Sequence, residues 1–223
     1  EAASRKGVFM IDAKSGFIKD GAKNRLREQD IRRIVDVWQS QRDVPHFARF
    51  VSMDEIERND YNLNIPRYVS APDTEILQDI DAHLYGGLPK HDIDQLAIYW
   101  NVCPSLRANL FIEHPTREGY YALNCELSAV RNTVAANVDF QRQSEVFKKS
   151  FADWCSKHRE KLNALVQGFA PKILIEQLGN SLLDIFGADK SLVDAYDVYD
   201  CLMNYWGETM QDDCYMISSG GWV

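Results

Sequence analysis

The sequence has no apolar run approaching the roughly 20 residues that a membrane-spanning helix needs, and its start lacks the charged, apolar and small-residue pattern of a secretory signal. Its five cysteines are an odd number, lie far apart and form no Cys-x-x-Cys pair. This pattern disfavours a disulfide framework and a zinc site, and it favours reduced thiols. We found no internal repeat and no low-complexity tract. These absences predict a cytoplasmic protein without a membrane partner.

The composition is that of a globular protein. Of 223 residues, 45% are hydrophobic and 26% are charged, which excludes a disordered tail. The net charge of −8 is uneven: residues 1–58 hold 12 Lys and Arg against 10 Asp and Glu, whereas residues 184–223 hold one Lys against eight acids. An acidic chain is a weak DNA ligand by itself, because affinity for phosphate depends on Lys and Arg.

The N-terminal third combines short extended segments with one helix. The apolar run 8–11 predicts a buried strand that requires a neighbouring sheet, and residues 47–51 predict a second strand. Between them, residues 14–23 predict a loop, and residues 27–41 predict an amphipathic helix. The predicted apolar face of this helix consists of Ile31, Ile34, Val35 and Trp38.

A capping box and an Asn-rich segment follow. Ser52 and Glu55 have the spacing of an N-cap and its third helical residue, so a short helix is expected there. Residues 59–64 are rich in Asn and Asp, which favour turns. Residues 63–69 predict a third extended piece, and Pro66 restricts any strand there to an edge or an end.

The rest of the sequence predicts helices. Pro104 is expected to open a short helix, residues 111–112 and 120–123 to form a small hairpin, and Gly187 to end a long helix. The other predicted helices span residues 74–85, 92–102, 126 into the 140s, 147–165, 174–186 and 192–210. The predicted fold class is therefore mainly α: a multi-helical C-terminal region with a small α/β portion at the N-terminus.

Three motifs occur in a fixed order: GVFMIDA at residues 7–13, KNRLREQDIRRIV at 23–35, and FARFVSMDEIERNDYNLNIPRYV at 47–69. They resemble the segment just after the catalytic core in the modification subunit of type I restriction-modification enzymes, which are DNA adenine-N6 methyltransferases. Weaker similarity continues through DIDAHLYGGLP and DIDQLAIYW to YDVYDCLMNYWGETMQDDCYMI. The resemblance implies that residues 1–70 are the C-terminal remnant of the methyltransferase α/β domain and that residues 71–223 are a helical domain for subunit contacts.

Two motifs of that family do not occur in the sequence: the Phe-x-Gly-x-Gly loop for S-adenosylmethionine and the Asn-Pro-Pro-Phe active site. The nearest approach, residues 64–68, reads Asn-Ile-Pro-Arg-Tyr. The resemblance therefore implies a C-terminal part with no catalytic, cofactor-binding or metal-binding residues, inactive alone. The parent would use S-adenosylmethionine, flip its target base out of the duplex, assemble with specificity and restriction subunits, and reach DNA through that complex.

Two candidate surfaces follow from these patterns. A basic group at the start of the first helix is the candidate for contact with the DNA backbone. Its members are Lys19, Lys23, Arg25 and Arg27, and Arg32 and Arg33 lie nearby. A solvated helix face is the competing explanation. Aromatic residues are enriched at protein interfaces, so Tyr199, Tyr205 and Trp206 are candidates for a subunit interface, with intramolecular packing as the alternative.

Other polar and aromatic residues favour ordinary structural roles. His158 lies on an apolar stripe and is expected to be a core histidine. Asp79 and His83, one helical turn apart, lack a third metal ligand, and Tyr120 and Tyr121 are expected to pack internally instead of stacking on bases. Two further functions stay open: a self-standing helical interaction module, and an accessory DNA-binding domain working through the basic group.

Overall fold

The computed structural model describes residues 6–70, 78–187 and 192–222. The chain divides into two compact units. The N-terminal unit combines Glu1–Ile76 with Tyr196–Glu208, and the helical unit combines Leu77–Ala195 with Thr209–Val223. The fold is mainly helical with small antiparallel sheets, as the sequence predicts. The predicted boundary at residues 70 and 71 concerns the functional division of the chain and stays a prediction.

A two-stranded antiparallel sheet organises the N-terminal unit. Strand β1 (Gly7–Ile11) pairs with β4 (Ala48–Ser52) over its whole length. Because side chains alternate across a strand, the sheet has apolar clusters on both faces. The first cluster contains Met10, Val51, Ile56, Tyr68 and Val69, and the second contains Val37, Phe47 and Ala48, with Phe9, Ile11 and Ile34 beside them. Both predicted strands are confirmed, but β1 is only partly covered.

Helix α1 (Glu28–Ser40) covers the second cluster through a different face from the predicted one. Val37 is buried and Ile34 packs beside it, whereas Ile31, Val35 and Trp38 are exposed. Positions 30, 34 and 37 share one side of a helix, and positions 31, 35 and 38 share another. The sequence contains two apolar stripes here, and the predicted face merged them.

The predicted loop at residues 14–23 is partly wrong, because a small hairpin forms in it. Strand β2 (Ile18–Asp20) pairs with β3 (Lys23–Arg25), and the turn between them has two residues. Gly21, the first of these, has φ of 60°, a conformation that glycine adopts without strain and that two-residue hairpin turns require. The hairpin places the predicted basic group immediately before α1.

The segment after β4 contains the predicted helix cap, but the strand predicted after that helix does not form. Ser52 caps helix α2 (Met53–Arg58), its hydroxyl accepting from the Glu55 amide at 3.2 Å. Residues 63–69 are not extended: Ile65–Arg67 forms a single 3₁₀ turn. The Asn62 side chain accepts from the Asn64 amide at 2.9 Å, and the Tyr68 hydroxyl donates to the Asn62 carbonyl at 2.5 Å. These local bonds compete with strand pairing.

The helical unit is a series of short elements followed by long helices. The confirmed hairpin of β6 and β7 gains a third strand, β5, in the order β5-β7-β6. The elements are α3 (Ile80–Tyr85), β5 (Leu88–Pro89), α4 (Lys90–Gln95), α5 (Ala97–Val102), α6 (Pro104–Leu110), β6 (Phe111–Glu113), β7 (Tyr120–Leu123), a 3₁₀ turn (Leu127–Ala129), α7 (Val130–Ala136), α8 (Val138–Asn163), α9 (Pro171–Phe186), α10 (Ala195–Tyr205), a π turn (Trp206–Met210) and α11 (Gln211–Gly220). Helix α10 and the π turn each cross from one unit into the other.

Several predicted helices are interrupted by polar caps or turns. The helix expected over residues 74–85 begins at Ile80, where the Asp79 carboxylate accepts from the Ala82 amide at 2.9 Å; residues 74–77 lie outside the described part. The helix expected from residue 126 breaks at Asn137, which is buried and caps α8. The predicted helices over 92–102 and 192–210 break at Leu96 and at the π turn.

The long helices α8 and α9 contact each other and carry much of the buried apolar surface. Pro171 opens α9 and Gly187 ends it, which confirms the predicted end. One stripe of α9 is buried, and the rings of Phe147 and Phe186 lie 4.9 Å apart. The buried stripe consists of Leu174, Leu178, Leu182 and Phe186.

Candidate functional site

The basic group lies on the β2–β3 hairpin and at the start of α1. Lys19 lies on β2, Lys23 and Arg25 lie on β3, and Arg27 is the N-cap of α1. The strand register places Lys19 opposite Asn24, and the Lys19 ammonium donates to the Asn24 side chain at 2.6 Å. The structure thus brings the four residues onto one short hairpin and the turn that follows it.

Two of these four cations are paired with carboxylates of the chain itself. The Arg25 guanidinium lies 3.1 Å from Asp20 in an exposed ion pair. Arg27 holds Asp30 with two bonds, from Nε at 2.9 Å and from Nη2 at 3.0 Å. Lys19 and Lys23 are therefore the members best placed to meet a phosphate. Arg25 can join them, because an exposed ion pair exchanges readily with solvent ions.

The Arg27–Asp30 pair is held by three hydrogen bonds. In the third, the Asp30 side chain accepts from the Arg27 amide at 2.9 Å, so Asp30 satisfies a backbone donor at the start of α1. The hydrogen bonds from Arg27 hold the pKa of the buried Asp30 carboxyl below its ordinary value, and the same pair raises the pKa of Arg27. We infer that Arg27 primarily stabilises α1.

The start of α1 also contacts α10, within the N-terminal unit. The Gln29 side chain donates to Asp197 at 2.9 Å, and the Gln29 amide lies 3.4 Å from an Asp200 oxygen. Two turns further along α1, the Tyr196 hydroxyl donates to Asp36 at 3.3 Å. These contacts attach a segment near residue 200 to the first helix of the chain.

The candidate interface residues have three different environments. Tyr199 is half-buried, with the Arg32 guanidinium 5.7 Å from its ring centre, and burial raises the pKa of its hydroxyl. Tyr205 is 55% exposed, whereas Trp206 is only 5% exposed. Of the three, Tyr205 is therefore the residue that a partner protein could reach. The burial of Trp206 favours a structural role.

Sequence reasoning missed the contact between α1 and α10, because its partners are about 170 residues apart. Gln29, Asp36, Tyr196, Asp197 and Asp200 form this contact, and none of them was a candidate. The available signal was charge: the acidic C-terminal part and the basic N-terminal part are complementary in sign. Complementary charge alone does not specify which side chains meet.

His158 and Tyr120 have intramolecular partners. His158 is buried, bonds Ser181 at 2.9 Å and has its pKa lowered by burial. The Tyr120 hydroxyl donates to Asp79 at 2.8 Å, and the Arg117 guanidinium lies 3.7 Å from the Tyr120 ring centre, so that ring face is occupied. Within residues 6–70, 78–187 and 192–222, no group of three or more His, Cys, Asp or Glu could hold a metal ion.

The cavities in the described part of the helical unit include an apolar one and a polar one. One, of about 340 Å³, is mainly apolar and lies between the end of α8 and α11. The other, of about 380 Å³, is polar and lies beside the loop between β6 and β7. Residues including Leu162, Leu165, Met210, Met216, Ile217 and Trp222 line the first, and residues including Lys90, His114, Arg117 and Tyr121 line the second. No described helix is long and apolar enough to cross a membrane.

Comparison with known proteins assigns the part of the chain that carries β1, β4, α1 and α2. Residues 1–76 match the family "N-6 DNA Methylase". The match covers 76 of the 223 residues. We refer to the matched residues below as the methylase segment.

Three curated relatives are methylase subunits of type I restriction enzymes. The MjaVII and MjaVIII subunits of Methanocaldococcus jannaschii are 45% and 33% identical over 81 residues, which is 34% of this chain and 14% of each relative. The MpnII subunit of Mycoplasma pneumoniae is 33% identical over 64 residues, 29% of this chain and 12% of the relative. The similarity thus covers about a third of the chain and only a small part of each relative.

A crystal structure provides a further comparison. The methyltransferase subunit of a type I restriction-modification system from Streptococcus thermophilus is 39% identical, with 31% of this chain and 15% of that chain covered. The TM-score is 0.29. The sequence relationship agrees with that of the curated relatives, and at this score the superposition does not bear on the fold.

Proposed function

We propose that this chain is part of the modification subunit of a type I restriction-modification system. The whole subunit would transfer a methyl group from S-adenosylmethionine to adenine N6 in DNA, in the cytoplasm. The observation that carries this proposal is the family match over residues 1–76, supported by relatives that are all methylase subunits of such systems. The order of the three N-terminal motifs supports it further.

The sheet of the methylase segment supports this proposal. Apolar clusters lie on both faces of β1 and β4, an arrangement typical of sheets whose strands have helices on both sides. Such a sheet normally contains more than two strands. In the proposed subunit, residues 1–70 would complete the methyltransferase domain, and residues 71–223 would form the helical domain for subunit contacts.

The residues of this chain do not fit S-adenosylmethionine. Open α/β sheets bind nucleotide-like ligands where a strand ends in a Gly-rich turn and a helix begins. In the described residues, β1 instead leads into the β2–β3 hairpin, and the Asp12 carboxylate just after β1 is held by Lys14 at 2.9 Å. We therefore assign this chain no step of the methyl transfer, and the cofactor would belong to the rest of the subunit.

The partners of the proposed subunit are the specificity and restriction subunits, and DNA would be reached through the complex. For the specificity subunit we propose a contact with the acidic C-terminal region, through Tyr205 together with the edge of Tyr199. The exposed ring of Tyr205 and the excess of acids over residues 184–223 suit a basic helical surface. For DNA we propose Lys19, Lys23 and Arg25, with Arg27 behind them.

Two substitutions test the assembly. Tyr205→Ala should weaken co-purification with the specificity subunit by about 2 kcal/mol or more, as loss of an interface anchor does, and leave the melting temperature unchanged. Trp206→Ala is the structural counterpart: truncating a buried Trp costs about 3–5 kcal/mol of folding stability. Thermal denaturation and pull-down of both variants would separate the two roles. Full assembly by folded Tyr205→Ala would refute the proposed interface.

A further inference from the structure

The contact between α1 and α10 brings carboxylates to the surface that is the candidate for DNA contact. Gln29 lies in the first turn of α1, two residues after Arg27, and its side chain and amide face Asp197 and Asp200. Asp200 is itself held by the Asn204 side chain, which donates to it at 3.1 Å. Both carboxylates are thus fixed by hydrogen bonds at the beginning of α1.

The first turn of α1 would otherwise attract anions. The beginning of a helix carries a partial positive charge and unpaired amides, which phosphate groups bind readily. Here the Gln29 amide faces the Asp200 carboxylate, and the Arg27 amide is used by Asp30. Carboxylates of the chain itself therefore take the place that a phosphate group would take.

The cations near this turn already have partners in the chain itself. Arg27 lies beside Asp30, and the charges of Asp200 and Asp197 add to that of Asp30 in raising the pKa of Arg27. On the remaining turns, Arg32 is paired with Asp36 at 2.8 Å and Arg33 lies 4.4 Å from the Phe47 ring centre. A phosphate approaching α1 would meet three carboxylates around one guanidinium.

We propose that Asp197 and Asp200 form an acidic cover over the start of α1 that weakens DNA binding by this chain. The cover competes with the DNA backbone for Arg27 and for the Gln29 amide, so the hairpin lysines contact phosphate without support from α1. DNA binding then strengthens when these two carboxylates are neutralised or turned toward another cationic surface. This inference rests on the proposed function, which supplies DNA as the ligand.

The test compares two double variants of equal charge. Asp197→Asn with Asp200→Asn removes the cover and keeps oxygens that Gln29 can still bond. Asp212→Asn with Asp213→Asn removes two carboxylates from the first turn of α11, in the other unit. Each chain is titrated into a labelled duplex of about 20 base pairs, and fluorescence anisotropy is recorded between roughly 50 and 200 mM KCl. This range is chosen because phosphate contacts depend on salt: a protein with 6–10 such contacts loses roughly 10³–10⁵ in affinity over it.

If the cover acts as proposed, the first variant should bind the duplex about tenfold more tightly at low salt. Its affinity should also fall more steeply with salt, by the slope of roughly one additional phosphate contact. The control should change affinity by less than about twofold under the same screening. Adding Lys19→Gln and Lys23→Gln to the first variant should remove the gain. Equal gains in the two double variants would mean that net charge alone matters, and no gain in a folded first variant would equally refute the cover.

A parallel pull-down with the specificity subunit keeps the cover distinct from the proposed function. A selective gain in DNA binding without capture of that subunit would retain the cover and refute the assembly role. Capture without any selective gain would retain the assembly role and refute the cover. Circular dichroism of each variant shows that the fold is present, and Gln29→Ala, which removes the bond to Asp197 while keeping every charge, should give a smaller gain in the same direction.

Discussion

The contacts inside the N-terminal unit and those inside the helical unit differ in the sequence separation of their partners. In the N-terminal unit, β1 pairs with a strand about 40 residues away and α1 contacts a helix about 170 residues away. In the helical unit, most contacts join neighbouring elements such as α5 and α6 or α8 and α9. The unit with relatives among methylases is therefore the one whose structure depends on distant parts of the chain.

The first prediction tests whether the helical unit depends on its buried stripe. Leu182 is 1% exposed and Ile173, on the same helix, is 54% exposed. Leu182→Ala should lower the free energy of unfolding by about 3–5 kcal/mol, because it leaves a cavity in a packed core. Ile173→Ala should change it by less than about 0.5 kcal/mol.

Urea denaturation, with hydrogen exchange measured for both units, checks this. If the units are as different as their contacts indicate, amides of β1 and β4 should keep more of their protection than amides of α9. Equal loss of protection in both would show that the two units unfold as one, whatever the sequence separation of their contacts.

The second prediction compares one helix cap in each unit. Asn137 is buried, accepts from the Asp139 and Phe140 amides at 3.0 and 3.1 Å, and donates to Ser105 at 2.9 Å. Ser52 makes one capping bond to a helix of six residues. Loss of a cap costs about 0.5–2 kcal/mol, so we expect Asn137→Ala near the upper end and Ser52→Ala near the lower end.

The same denaturation experiment measures both cap variants. Asn137→Asp and Ser52→Thr serve as matched controls, because each keeps an oxygen that can accept from the helix amides. A larger loss for Ser52→Ala than for Asn137→Ala would show that the short helix α2 is more important to its unit than its length indicates.

The third prediction separates the units by pH. Burial lowers the pKa of His158 below the ordinary value of about 6.5, so the unfolded chain binds this proton first as the pH falls. Stability of the helical unit should therefore decline from about pH 6.5 downward through the folded pKa. In the N-terminal unit, bonds from Arg27 lower the pKa of Asp30, so its contribution is present above about pH 3.9 and is lost as the pH falls through the folded value.

Difference titrations of stability check both signs. Subtracting the curve of His158→Gln from that of the unchanged chain should leave a step that begins near pH 6.5, and subtracting that of Asp30→Asn should leave one that begins near pH 3.9. A flat difference for His158→Gln would mean that the imidazole keeps its ordinary pKa in the folded state.

Local patterns in the sequence predicted much of the fold, and distant contacts were missed. The strands of the N-terminal sheet, the Ser52 cap, the start of α6 at Pro104 and the end of α9 at Gly187 follow from short-range rules. The exposed stripe of Ile31, Val35 and Trp38 could not be distinguished from the buried one, because both have helical spacing.

The candidate site was predicted in its residues but not in its surroundings. Lys19, Lys23, Arg25 and Arg27 do lie together, since they are close in sequence. Their carboxylate partners, Asp20 and Asp30, are close in sequence, whereas Asp197 and Asp200, which bond Gln29, become neighbours only through tertiary packing. The burial of Trp206 beside the exposed Tyr205 likewise depends on the π turn, which helical periodicity does not predict.

The attachment of α10 to α1 has a consequence for the time at which the N-terminal unit can form. A ribosome adds about 5–20 residues per second, so the segment near residue 196 emerges roughly 6–24 seconds after residue 76. During that interval Gln29 lacks Asp197 and Asp200, and the Arg32–Asp36 pair lacks its contacts with Tyr196 and Tyr199. Nascent chains stopped before residue 196 should therefore hold α1 less tightly than finished ones, and a protease pulse during translation would detect the order of events.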